Sequence, residues 1–153
     1  MTSRGRLATA HAEAGDSAGL LMWQVTNRWQ SAVRAELRPF ELTHVQFVLL
    51  ASLTWLNSVD EGPVTQVRLA QHAATDPMMT SQVARALAGR GLVERRAHPD
   101  DGRAVALHAT AVGVELVNRA FVAVEACDRQ FFAALGREQD TFVRQLRTLL
   151  AQS

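Results

Sequence analysis

The stretch QVARALAGRGLVERRAHPDDGRAVALHATAVG, residues 82–113, changes its hydrophobic period twice. Val83, Ala84 and Leu87 continue a helical spacing that begins at Thr80, and Gly91 stands where a helix C′ residue is expected. LVERRA (92–97) and AVALHAT (104–110) then read as two strands, with Val105, Leu107 and Ala109 alternating as a half-buried strand requires. Between them Pro99, Asp100, Asp101 and Gly102 build a tight loop that presents one arginine, Arg103. From Thr110 the period is helical again. A helix followed directly by a hairpin and a long helix constrains everything on either side.

Upstream, residues 17–37 place Leu21, Val25, Trp29 and Val33 four apart, one face of an amphipathic helix that Asp16 or Ser17 caps, with Pro39 just past its end. Residues 42–57 form a second helix with Thr43 as N-cap. Its apolar residues, from Val45 through Trp55 and Leu56, lie on most sides, which predicts a central, buried helix. DEGP (60–63) breaks the chain. Two short helices follow, 64–73 and 76–91, the second opened by Asp76-Pro77. Downstream, Val112, Leu116, Ala120, Val124, Cys127 and Phe131 make a long stripe that ends near Leu135-Gly136. A last helix carries Phe142, Leu146, Leu149 and Leu150.

Two short helices joined by a few residues form a helix-turn-helix, whose second helix fits the DNA major groove. The hairpin behind it makes the arrangement a winged helix-turn-helix. The expected fold is mainly α with a small β-hairpin: a winged helix-turn-helix lobe plus a helical dimerisation region.

The residues also resemble the MarR family of bacterial transcriptional regulators. The resemblance rests on Leu87, Gly91, Leu92 and Val93 (LxxxGLV), on Asp101-Gly102-Arg103 in the wing, and on Thr110 and Gly113 (TxxG). LTHVQF at 42–47 is similar to the start of the family's second helix, and the order of elements agrees from about residue 17 to residue 151. Two positions depart from the pattern. Gly102 replaces a frequent arginine, and Ala109 stands where leucine is more usual, which predicts looser packing beneath that strand.

On a helix in the major groove, short polar side chains and arginine reach base edges. Ser81, Gln82 and Arg85 are the expected readers, with Met79 against a thymine methyl. Arg103 at the hairpin tip suits the minor groove, where negative potential attracts a guanidinium, and Asp101 is expected to brace that guanidinium by a charge-assisted contact. Arg90, Arg95 and Arg96 are candidate phosphate contacts; Arg95 and Arg96 adjoin on a strand, so one of the two faces phosphate. The resemblance implies a homodimer built from residues 17–41 and 110–153, around a DNA-binding lobe at 42–109. It also implies a pseudo-palindromic operator and repression relieved by a small aromatic effector. Met22, Trp23, Trp29, His44 and Trp55 are the candidate lining of its pocket, although such residues at helical spacing are most often core.

Composition narrows the alternatives. At 153 residues and 48% hydrophobic the chain suits one globular domain behind a flexible, polar tail at 1–16 that lacks the apolar core of a signal peptide. All 16 basic residues are arginine, with no Lys, Ile or Tyr, a bias of GC-rich coding that points to a bacterial source. One cysteine fits a reducing compartment, so the cytoplasm is expected, with no membrane association. Cys127 lies on an apolar stripe, where a thiol is chiefly a small hydrophobe. His72, His98 and His108 show no metal-ligand spacing, and neither a phosphate loop nor a nucleophile motif occurs, so no enzyme, metal or cofactor is expected. A winged helix used for protein contacts, and a small-molecule binder on a helical scaffold, remain the competing classes.

Overall fold

The computed structural model describes residues 5–152. Helix α1 spans Ala18–Leu37, and Ser17, rather than Asp16, caps it by accepting from the Leu20 N–H at 3.2 Å. The anticipated tail is irregular from residue 5 until a short 3-10 turn at Ala14–Asp16; its first four residues lie outside the described range. Helix α2, His44–Val59, opens with a reciprocal capping box between Thr43 and Gln46. Leu49, Leu50, Leu53 and Leu56 are all within 1% of full burial, so α2 is the centre of the core. Trp55 is the exception: it is 59% exposed, although it was counted among the apolar residues of a buried helix.

After the DEGP break, Val64–Thr65 is not the start of a helix but a short strand, β1. Thr65 serves as strand residue and as N-cap of α3, Gln66–Ala73. Helix α4 runs Pro77–Gly89 from an Asp76 cap. Between α3 and α4 the chain turns through Ala74, held at φ 52°, and Thr75. Thr80, fully buried, donates to the Asp76 carbonyl at 2.9 Å, so the Thr75 hydroxyl is the donor in its 2.7 Å contact with Thr80. That pair satisfies the turn's buried hydroxyls.

Strands β2 (Val93–Ala97) and β3 (Val105–Ala109) pair antiparallel, Arg95 opposite Leu107, and β1 joins the other edge of β3, Val64 opposite Leu107. The sheet therefore has three strands in the order β1-β3-β2, one more than the expected hairpin. Helix α5 spans Ala111–Phe132, and a kink at Gly136 leads to α6, Gln139–Leu150. The buried face of α5 is Gly113, Val117, Ala120 and Val124; the sequence stripe is rotated from it at its start, where Val112 is 63% exposed. No residue of α6 is buried. No single helix among the described residues is long and apolar enough to cross a membrane.

The joint between α4, β2 and α5 packs backbone against backbone. Gly91, at φ 73°, ends α4 in a Schellman motif: its N–H donates to the Ala88 carbonyl, and the Leu92 N–H donates to Leu87, both at 3.0 Å. Thr110 closes the other side. Its N–H donates to the Leu92 carbonyl at 3.0 Å, its hydroxyl donates to the Gly91 carbonyl at 2.7 Å, and that hydroxyl oxygen accepts from the Gly113 N–H. A Cβ at Gly113 would sit 2.1 Å from the Leu92 carbonyl oxygen. Neither backbone yields easily, so Gly113→Ala is expected to destabilise the protein by about 3 kcal/mol, read by denaturant unfolding. A variant as stable as the parent would contradict this close approach.

Candidate nucleic-acid interface

Helix α4 buries Thr80, Ala84 and Leu87 on the side that packs against α2, α3 and β2. The opposite face carries the exposed side chains Met78, Gln82 and Arg85, spaced four and three apart along one stripe. Met79, 42% exposed, and the half-buried Ser81 flank this stripe on its two sides. Met78 was not among the expected readers; at 70% it is more exposed than Met79, and it shares its helical angle with Gln82 and Arg85.

The wing projects from the body. After buried Val93, every residue of β2 is exposed. In the loop the His98 N–H donates to the Ala104 carbonyl, and the Ala104 N–H donates to the Asp101 carbonyl. Asp101 Oδ1 accepts from the Arg103 backbone N–H at 3.0 Å, and the Asp100 N–H donates to His98 Nδ1 at 3.1 Å. Asp101 thus holds the turn and not the guanidinium, which corrects the expected charge-assisted brace. The physical reason is reach: an Asx carboxylate two residues upstream meets the backbone N–H first. The guanidinium of Arg103 makes no ion pair among the described residues.

The three candidate phosphate contacts differ in their present engagements. Arg90 donates to the Glu41 carbonyl at 2.6 Å, tying the end of α4 to the α1–α2 corner. Arg96 pairs with Glu94 on the strand surface. Arg95 is exposed and makes no side-chain contact of that kind among the described residues. Arg68 on α3 is paired with Asp60 at 3.3 Å.

The five residues grouped as a pocket lining do not converge. Trp29 and His44 meet edge-on with ring centroids 5.1 Å apart, and the Trp29 indole donates to Asp128 at 2.8 Å. With Arg34, Val45, Val48 and Thr75 they line a cleft of about 310 Å³ between α1, α2 and the α3–α4 turn. Trp55 lines a second cleft, about 420 Å³, with Ala51, Ser52, His72 and Phe121. His44, Val48, Ala51 and Trp55 recur at helical spacing, so both clefts follow one face of α2. Met22 and Trp23 line neither and are 58% and 69% exposed on the first turns of α1. Burial, with the nearby Arg34 charge, lowers the His44 pKa, while Asp128 opposes the shift. Burial and the charges of Asp128 and Glu36 push the Cys127 thiol up, which keeps it a poor nucleophile. Among the described residues no three His, Cys, Asp or Glu side chains group as a metal site would require.

A capped helix pair with a polar outer stripe, backed by an arginine-tipped wing, defines a winged helix-turn-helix transcription regulator of the DNA-binding kind. The sequence profile of the MarR family matches residues 42–105. The HTH-type transcriptional regulator YdcH of Bacillus subtilis is 43% identical over 134 residues, 88% of this chain and 90% of its own. A MarR-family protein of Mycobacterium tuberculosis, solved in complex with salicylic acid, is 32% identical with a TM-score of 0.67, over 90% of this chain and 98% of that one. CouR from Rhodococcus jostii, bound to p-coumaroyl-CoA, is 27% identical with a TM-score of 0.76, over 92% and 93%. This chain belongs to the MarR family.

The wing geometry separates two roles for Asp101. Because the carboxylate accepts from a backbone N–H, Asp101→Asn is expected to keep DNA affinity within about twofold, whereas Asp101→Ala loses about fivefold to tenfold, the value of one hydrogen bond. Fluorescence anisotropy on a bound duplex reads both. Equal losses in the two variants would restore the charge-assisted role.

Proposed function

We propose that this protein is a homodimeric, sequence-specific repressor that binds a pseudo-palindromic operator in the cytoplasm and is released by a small aromatic effector. The observation that carries the reading is the pairing of an outward stripe of Met78, Gln82 and Arg85 on α4 with the unpaired guanidinium of Arg103 on the wing. Gln82 and Arg85, flanked by Ser81 and Met79, read base edges in the major groove. Arg103 enters the minor groove, positioned by the Asp101 turn. Arg95 contacts phosphate directly; Arg90 and Arg96 do so by exchanging their present partners.

Dimerisation through residues 17–41 and 110–153, with a DNA lobe at 42–109, is supported by apolar surface that one copy leaves uncovered. Leu20, Leu21, Met22 and Trp23 on α1 are exposed, as are Leu146, Leu149 and Leu150 on α6. An amphipathic helix with no buried residue gains its stability from a partner. The two-fold axis of such a dimer matches a palindrome with half-sites about one helical turn apart. For the effector, Trp29 and His44 offer aromatic faces and Arg34 a cation in one cleft, the chemistry that holds an aromatic carboxylate. The salicylic acid complex of the mycobacterial relative supports that class.

The test is direct. A duplex selected from a random-sequence pool by the protein should bind with an affinity that falls steeply with salt. Arg103→Ala should weaken it about tenfold or more without changing the dimer, and Gln82→Ala should lower specific binding more than binding to random DNA. A protein that selects no duplex, or binds without salt dependence, is instead a winged helix used for protein contacts. For the effector, salicylate as probe should dissociate the complex, and Arg34→Ala should remove that response while leaving DNA binding intact. A response that survives Arg34→Ala places the ligand elsewhere.

A further inference from the structure

The carboxamide of Asn57, in the last turn of α2, makes two hydrogen bonds that the reading motif itself does not require. Its Nδ2 donates to the Leu107 carbonyl at 3.1 Å and its Oδ1 accepts from the Ala109 N–H at 2.9 Å. The amide orientation is set by its partners, because a carbonyl only accepts and an N–H only donates. Strand β1 pairs with β3 solely at Val64–Leu107 and Thr65–Ala106, so it ends before Ala109. Asn57 takes over there, bonding the Leu107 carbonyl and the Ala109 N–H of β3, the pair of groups that the N–H and C=O of one residue in a neighbouring parallel strand would engage. Ala109 itself packs, partly buried, against the core.

The base of the wing is thereby held at two adjacent residues from two directions. Thr110 binds the carbonyls of Gly91 and Leu92, which fixes the base to the end of α4. Ala109 is fixed to α2 by Asn57. A single joint would allow the hairpin to pivot; two define its angle. From Ala109 to Arg103 the strand and loop make a lever of about 15–20 Å, at about 3.3 Å per residue. A rotation of about 5° at the base displaces the tip by about 1.5 Å, more than a positioned contact tolerates. The face of α2 opposite Asn57 lines both clefts, through His44, Val48, Ala51 and Trp55.

We infer that Asn57 is the positioning residue of the wing: it sets the angle at which Arg103 meets DNA and makes that angle depend on where α2 lies. The inference rests on the reading of Arg103 as a DNA contact. An occupant of either cleft that shifts α2 moves the wing through this side chain.

The experiment is a double-mutant cycle on the duplex selected by the parent protein. Asn57→Ala alone is expected to weaken binding about fivefold to tenfold, and less than twofold when added to Arg103→Ala. In the Asn57→Ala variant hydrogen exchange should speed at the Ala109 amide and leave Thr110 protected. Losses that multiply fully on the Arg103→Ala background would mean that Asn57 merely supports the fold, and would overturn the inference while leaving the DNA-binding reading intact. Parent-like binding by Asn57→Ala overturns it as well. Parent-like binding by Arg103→Ala, or no duplex selected at all, removes the wing reading and this inference together. Asn57→Asp provides the second variant. Its ionised carboxylate faces the Leu107 carbonyl, so binding should be weak at neutral pH. Binding should recover relative to the parent as acid restores a proton to donate; a loss that does not vary with pH would count against the two-bond role.

Discussion

Everything in this molecule hangs from the place where the backbone of Leu92 crosses the first turn of α5 at Gly113. The two segments come so close that no side chain fits between them, and Thr110 ties the same crossing with its N–H and its hydroxyl. Three elements meet there: the end of α4, the start of the wing and the start of α5. Because the contact is backbone on backbone, it fixes their mutual angles without depending on side-chain rotamers. The LxxxGLV (87–93) and TxxG (110–113) motifs are the two halves of one joint.

Helix α2 is the second organising element, and it does different work on each side. Its leucines form the core, its last turn reaches the wing through Asn57, and its remaining face lines two clefts. One helix is thus core, wing support and cleft wall at once. Helices α1 and α5 are in turn held together by the Trp29–Asp128 hydrogen bond, which joins residues 99 apart in sequence. The clefts thus adjoin the elements that set both the proposed dimer and the wing.

Two acids in a loop proposed to face DNA present an apparent conflict of sign. The hydrogen bonds resolve it. Asp101 spends its carboxylate on the Arg103 N–H, and Asp100 offers its own N–H to His98, so both residues shape the loop from within. The arginine is left as the group that projects. Its direction comes from the turn and from the strand beneath it, not from an ion pair.

The helices, several of their caps and the wing were legible because each is a local pattern: Thr43, Asp76, Gly91 and Thr110 signal their roles within a few residues. Other features depended on segments far apart in sequence. The short strand β1 has two residues and no period of its own, and only its pairing with β3 reveals it. The exposure of Trp55 and Val112, and the separation of the five aromatic and methionine positions into two clefts and a bare surface, depend on which helix covers which. Asn57 carries no motif, since its partners are 50 and 52 residues away. By itself the sequence determined the order of the helices and the hairpin and, with the family resemblance, the joint residues and the class of protein, because capping, periodicity and short motifs are written in near neighbours. The tertiary structure alone decided what braces the wing and what lines each cleft, because those are matters of distance between segments that share no local signal.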